Sequence, residues 1–368
     1  MVSEIIKELV EKWDSEIKED EVGIPFFSNP DYQVNDFSKE KFIKILPVTG
    51  ENKIAFIDGS NTEIAMAPNF SIQFNRVYFN IFKNNSRVMP TIQNKIEFFS
   101  LTHATLKRNE IHYDTYIYPI QKDLSEFLPD EEDVSFNSFD RSVMVGTLRA
   151  DISRVSSIAR RFAEWSICNY VVEELDSGDV IVMDGSLQTA FTNESKYFRR
   201  AFNGANSKGV FFTGLSKTSA LYTSTGLSLI GAASYMARKF GIEGAWYYPV
   251  AESLSPTHEA KIFLVKLHPN AERIFRFEIH RDQAKNMDEK EISHVIGMLA
   301  ANASDIVFPG YPYGLIEAHS QAKIRESEKR IYQTRLFSEI SKIPGRWEKF
   351  LRHFRAEDAH QILDLIVR

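Results

Sequence analysis

Asp58 and Asp184 each close a short apolar run and open the same tripeptide, in Ile54-Ala55-Phe56-Ile57-Asp58-Gly59-Ser60 and in Val180-Ile181-Val182-Met183-Asp184-Gly185-Ser186. A buried strand that ends on an acid and a glycine delivers a carboxylate to a sheet edge. Glu164, within Arg161-Phe162-Ala163-Glu164, lies between them in sequence and adds a third acid. Hard divalent cations such as Mg²⁺ and Mn²⁺ take oxygen ligands, so three such acids are a candidate ligand set. A pair of these ions, about 3.5–4 Å apart, would serve phosphodiester hydrolysis by lowering the pKa of the attacking water and neutralising the leaving oxygen. Lys217 follows an apolar run at 209–214 and would reach the same edge to neutralise a phosphate or orient the nucleophile. His319 follows Gly310-Tyr311-Pro312-Tyr313-Gly314 and titrates near neutrality, so it could protonate a leaving oxygen or bind phosphate. Each residue alone has an ordinary alternative: a turn after a strand, a solvated lysine, a structural histidine on a helix face. His258, His268 and His280 show no ligand spacing, and no HExxH box occurs.

The elements that must position these residues read as follows. An amphipathic charged helix, Met1 to Lys18, is followed by an arm carrying Pro25, Pro30 and Pro47. Strands are expected at 53–58, over the alternating residues Ile72 to Ile81, and at 111–120. The region 85–150 reads as an insertion, with an acidic loop at 123–133. A helix is expected from about Arg149 to Leu175, with Asp151 or Ser153 as N-cap and Glu164 beside its apolar stripe. A strand at 180–184, a helix at 189–203 and a strand at 209–214 follow. Beyond them come a helix near 220–240, strands at 260–267 and 273–279, a helix at 288–301, a short strand at 305–308 and a helix at 315–341. The order β-β-β-α-β-α-β describes an α/β, ribonuclease-H-like mixed sheet with flanking helices, an N-terminal helix and C-terminal helical elements. In that fold the first and fourth strands are parallel neighbours, which is why their aspartates can meet. The expected division is 1–50 as helix and arm, 51–340 as the main domain, and 341–368 as a helical tail.

The chain has 368 residues, 43% hydrophobic and 26% charged, enough for a sizeable core. Its single cysteine, Cys168, excludes an internal disulfide and a cysteine-cluster metal site, and is expected to be a buried apolar residue. No run approaches the roughly 18 apolar residues of a membrane span. The charged first helix is unlike a signal peptide, so the expected compartment is the cytoplasm. A net charge of −6 argues against coating nucleic acid through bulk basicity. Local clusters remain, with Arg154, Arg160 and Arg161 flanking Glu164, and with Lys196, Arg199, Arg200 and Lys208 between Asp184 and Lys217. Further basic residues run from Lys323 to Arg335 and from Arg346 to Arg355. These are candidate phosphate contacts or solvated helix faces, and Tyr197, Phe198, Tyr311 and Tyr313 would stack on unpaired bases if exposed, with core packing as the alternative.

The ordered set Phe56-Ile57-Asp58-Gly59-Ser60, Arg161 to Glu164, Val182 to Leu187, Gly214-Leu215-Ser216-Lys217 and Gly310 to His319 resembles the NurA nuclease family. The resemblance covers about 50 to 325. It implies a Mn²⁺- or Mg²⁺-dependent nuclease acting on single-stranded DNA and duplex ends with 5′-to-3′ polarity in recombinational repair. It also implies a homodimer that works with a HerA-like hexameric ATPase. Asp58, Glu164 and Asp184 would be metal ligands, with Lys217 and His319 completing the catalytic set. The family often carries proline where this chain has Gly314. No GxxxxGK[ST] loop occurs, so ATP-driven motion would come from the partner. Two other readings stay open: an actin- or sugar-kinase-like phosphotransferase, although no late Gly-rich adenosine segment is evident, and a catalytically silent DNA clamp for the translocase.

Overall fold

The structure is a computed structural model, and it describes residues 2–17 and 21–354. Among these residues thirteen strands form one mixed sheet. Its central members, in chain order, are β1 (Lys53–Ala67), β2 (Phe70–Lys83), β3 (Lys95–Lys107), β4 (Glu110–Pro119), β5 (Val180–Asp184), β6 (Phe211–Ser216), β7 (Trp246–Ser253), β8 (Ala260–Lys266) and β9 (Phe275–His280). They lie in the order β7-β8-β9-β6-β5-β1-β2-β3-β4. Only the β1–β5 and β5–β6 pairs in this series are parallel. The expected adjacency of the first strand and the 180–184 strand is therefore present, with Ile54 opposite Val180 and Ile57 opposite Met183.

Apart from the single turn Arg281–Ala284, the α-helices are α1 (Val2–Glu16), α2 (Ile152–Ser156), α3 (Ile158–Val172), α4 (Glu194–Ser207), α5 (Leu229–Lys239), α6 (Glu289–Ala301), α7 (Tyr313–Ala322), α8 (Glu326–Ser341) and α9 (Arg346–Phe354). On one sheet face α3 and α4 bury Phe162, Trp165, Val171, Phe198 and Ala201 against Ile57, Phe79, Ile181 and Phe212. On the other face α6 and α7 bury Val295, Leu299, Leu315 and Ala318 against Phe56, Val182, Leu215 and Phe277. Sheet strands of this kind are covered on both faces because their side chains alternate between two apolar layers. Asp288 caps α6 through a capping box with Glu291, which sets that helix's start. Cys168 is fully buried in the α3 layer, as expected.

Several boundaries differ from the sequence expectation. Within the region 85–150, β3 and β4 continue the antiparallel sheet beyond β2. The strand β3 lacks the usual apolar signal, since two of its inward positions, Ser100 and Thr102, are buried polar residues bonded to Asn75 and Thr115. The arm before residue 50 supplies two short strands, Tyr32–Val34 and Ile43–Lys44, that pair with β7. The expected 149–175 helix is interrupted at Ser157, and Asp151 is the N-cap, accepting from Ser153 N–H at 2.8 Å. Residues 305–308 form a turn in which Asp305 accepts from Val307 and Phe308 N–H. The expected 315–341 helix is divided into α7 and α8 around Lys323 to Arg325. Arg76 sits at that break, donating to the Lys323 carbonyl and paired with Glu97 and Glu328. Of the expected tail, residues 355–368, including Arg355, lie outside the described residues.

Candidate metal centre and its surroundings

Asp58 does not end its strand, contrary to the sequence reading. β1 runs on to Ala67 paired with β2, while its parallel neighbour β5 stops at Asp184. The loss of that neighbour beyond Ile57 opens the edge at which Asp58 meets Asp184. The two Asp-Gly pairs then do different work. Gly185 takes φ +132° and turns the chain, whereas Gly59 stays within β1 and leaves room for Glu164. A Cβ on Gly59 would lie 3.0 Å from Glu164 Cδ and from Arg160 Cδ, and nearer still to a Glu164 carboxylate oxygen.

Asp58, Asp184 and His319 each present one ligand atom, all within 4.8 Å of one another. His319, in the last turn of α7, places Nδ1 at 2.9 Å from Asp58 Oδ2. Lys217, just past β6, pairs with Asp184 and lies 3.4 Å from His319 Nδ1. Both aspartate side chains are 9% exposed, and His319 is 58% exposed, so the pocket opens on the histidine side. Burial first, and then the charge of Asp58, push the Asp184 carboxyl up to about 6, while Lys217 acts in the opposite direction. A divalent cation bound between these two carboxylates would offset their mutual repulsion. Two carboxylates and an imidazole suit Mn²⁺ or Mg²⁺ better than a soft metal, and the donor set therefore fits the expected ion.

Glu164 is beside this group and outside it. Its Oε1 accepts from Arg160 Nη1 at 2.6 Å, one helical turn back on α3. Arg160, expected among the DNA contacts, is thus part of the acidic centre, and its Nε is buried without a hydrogen-bond partner. Tyr311, expected to stack on bases, is 3% exposed and packs on Phe275 and Phe308. Its hydroxyl is also buried and unpartnered; burial, followed by the charges of Asp184 and Asp58, holds its proton firmly. A Gly-Tyr-Pro-Tyr turn gave no sign in sequence of which tyrosine faces inward.

The remaining predicted DNA contacts are distributed elsewhere. Arg161 bonds Glu194 and the Gln188 carbonyl, anchoring α3 to α4. Lys196 pairs with Asp130 and Asp133, and Arg199 lies 3.7 Å from Glu259. Arg200 is exposed, and Tyr313 is 44% exposed with its ring edge-on to Phe82. Tyr197 and Phe198 are core residues. Lys208 donates to the carbonyls of Val172, Glu173 and Leu175, and so closes the C-terminal end of α3.

A buried polar network beneath the Asp184 turn escaped the sequence reading altogether. Glu278 on β9 accepts from Leu187 N–H at 2.8 Å and from His258 Nε2 at 3.0 Å, and is paired with Arg276. His258 Nδ1 is 2.7 Å from the Tyr32 hydroxyl, which links the arm to the same network. Burial alone would raise the Glu278 pKa, but Arg276 and His258 outweigh it and bring the carboxyl down to about 2. The carboxylate is therefore a permanent anchor for the loop that follows Asp184.

Comparison with known proteins bears on the fold. The model of the NurA domain family matches residues 52–324. The crystal structure of the NurA nuclease from Sulfolobus solfataricus superposes with a TM-score of 0.50 at 13% identity, covering 94% of this chain and 96% of that one. A second NurA crystal structure gives a TM-score of 0.48 at 9% identity, over 94% of this chain and 98% of that one. A third, of NurA with manganese, gives 0.44 at 9% identity, over 83% and 92%. No curated protein matches the chain by sequence.

Proposed function

The chain belongs to the NurA family, and from that premise we propose that it is a Mn²⁺- or Mg²⁺-dependent DNA nuclease. Its substrates would be single-stranded DNA and duplex ends, resected 5′ to 3′ in recombinational repair by a homodimer working with a HerA-like hexameric ATPase. The observation that carries the reading is the convergence of Asp58, Asp184 and His319 within 4.8 Å at one sheet edge, with Lys217 beside them. Scattered surface acids have no reason to collect at the point where a parallel neighbour ends.

Asp58 and Asp184 would hold the ion, and His319, whose Nδ1 is already directed at Asp58, would complete the ligand set. A divalent ion there supplies an acidified water at neutral pH and offsets the charge on the phosphate. Lys217 adds a fixed positive charge for the phosphate oxygens. The unpartnered Tyr311 hydroxyl offers a hydrogen bond to a group entering the centre. Glu278, through Leu187 N–H, keeps the Asp184 turn in place while substrate binds. Among the described residues no helix is long and apolar enough to cross a membrane.

The test is cleavage of end-labelled single-stranded DNA and blunt duplex by the purified full chain with Mn²⁺. Metal-dependent shortening is expected, and Asp58→Asn should abolish it with the thermal transition retained. Intact DNA together with tight ATP binding would favour the phosphotransferase instead. Tight DNA binding without cleavage would favour the silent clamp.

A further inference from the structure

The arm that precedes the sheet reaches the Asp184 turn through the buried network beneath it. We propose that Tyr32 is a positioning residue for Asp184: through His258 and Glu278 its hydroxyl fixes the loop 185–189, and with it the Asp184 carboxylate. The inference rests on the nuclease reading above and adds to it a residue of the arm, outside the span 52–324 that the family model matches.

The path is continuous, and its hydrogens run in one direction. Leu187, three residues after Asp184, donates its N–H to Glu278 Oε2 at 2.8 Å, and His258 Nε2 lies 3.0 Å from the same oxygen. Arg276 pairs with the other oxygen, Oε1. A carboxylate only accepts, so Nε2 carries the hydrogen; Nδ1 of the neutral ring is then the acceptor, and the Tyr32 hydroxyl at 2.7 Å donates to it. Burial raises the Tyr32 pKa, so the hydroxyl keeps that hydrogen. The His258 side chain is 1% exposed and Glu278 is wholly buried, so solvent does not replace a partner lost from this path. The hairpin that carries His258 holds the same loop by its backbone, with Thr189 N–H donating to the Thr257 carbonyl at 2.8 Å. The arm in turn holds the hairpin: Tyr32 pairs with Ser253 on β7, and Leu254 N–H donates to the Asp31 carbonyl at 2.7 Å. Finally, the loop has little slack. A Cβ on Gly214, which faces Glu278 across β6 and β9, would stand 2.5 Å from the Gly185 carbonyl. With Gly185 seated this closely, a displacement of Leu187 passes to Asp184 instead of being absorbed between them.

Tyr32→Phe removes the hydroxyl while keeping the ring that stacks on Phe27 at 4.3 Å and the backbone pairing with Ser253. Two measurements on the full chain test it without DNA: amide hydrogen exchange of the metal-free protein, and Mn²⁺ titration by calorimetry. In Tyr32→Phe, exchange at Leu187 should accelerate about tenfold while the amides of residues 32–34 exchange as in wild type. Mn²⁺ affinity should fall about 10- to 100-fold, the usual effect of losing a residue that orients a ligand. His258→Gln should show a similar loss, and adding Tyr32→Phe to it should change the affinity by less than about twofold, because members of one path do not add. Gln33→Ala, at an exposed position on the same short strand, should match wild type throughout. If His258→Gln does not fold, the comparison of Tyr32→Phe with wild type decides alone. Unchanged Mn²⁺ affinity in Tyr32→Phe, unchanged exchange at Leu187, or a full further loss in the double variant each overturn the proposal and leave the nuclease reading standing. A wild-type chain that binds no Mn²⁺ would remove the metal-dependent nuclease reading itself.

Discussion

Gly314→Ala tests how closely the position of His319 depends on helix packing. Gly314 lies in the first turn of α7, where its N–H donates to Asn302 Oδ1 at 2.8 Å and its carbonyl accepts from Asn80 Nδ2 at 2.9 Å. An added Cβ would be 2.8 Å from Phe56 Cγ and nearer still to Cδ2 and Cε2, whereas ordinary contact begins at 3.4 Å. Phe56 is fully buried between β1 and the helices, so its ring cannot swing away. The relief must come from α7 moving outward by about 1 Å, and overpacking of this kind costs about 1–3 kcal/mol. For a chain of this size that corresponds to a Tm lowered by about 1–4 °C. The same movement carries His319 away from Asp58, lengthening a 2.9 Å contact beyond hydrogen-bond range. A misplacement of about 1 Å in a catalytic constellation costs about 10²-fold in rate. Thermal denaturation and single-turnover cleavage of labelled DNA measure the two effects separately. Adding Phe56→Leu should recover part of both losses, because the clash is pairwise. Unchanged Tm and unchanged cleavage in Gly314→Ala would refute the claim that this packing sets the histidine.

Gly59→Ala should act on Glu164 and Arg160 without altering the fold, because the obstructing atoms belong to flexible side chains rather than backbone. We expect a Tm within about 2 °C of wild type and cleavage reduced by about tenfold or more; wild-type cleavage would show that the carboxylate position is immaterial. Metal binding should also depend on pH through Asp184. Its folded pKa of about 6 exceeds its ordinary value of 3.8, so the group's contribution to metal-free stability is complete below 3.8 and is lost as pH rises through about 6. Mn²⁺ requires the ionised form, and the Tm increase it produces should therefore be large at pH 8 and small at pH 5, a contrast that equal increments at the two pH values would contradict.

The chemistry of the centre is largely legible in the residue types. Two aspartates after apolar runs, with a glutamate, a lysine and a histidine on other elements, make a divalent cation and a phosphate the expected partners before any contact is known, because hard-metal ligation needs oxygen donors. The crossover helix between 149 and 175 also implies the parallel pairing of β1 with β5 that brings Asp58 to Asp184. What lay beyond the sequence is whatever depends on a side chain's partner rather than its type. Arg160 and Lys196 look alike as basic residues near acids, yet one joins Glu164 in the centre and the other pairs with Asp130 and Asp133 elsewhere. The strand β3 stayed hidden because Ser100 bonds Asn75 and Thr102 bonds Thr115 inside the sheet, at positions where alternation of apolar residues would have announced it.

The doubled Asp-Gly-Ser shows the division most clearly. By itself the sequence determined that two carboxylates follow two apolar runs, since hydrophobic periodicity and residue chemistry are local properties. Only the tertiary structure decided that one strand stops at Asp184 while the other continues to Ala67, that Gly185 turns the chain, and that Gly59 admits Glu164 and Arg160. Strand ends and close approaches are set by which neighbour is present across the sheet, and that neighbour comes from a distant part of the chain.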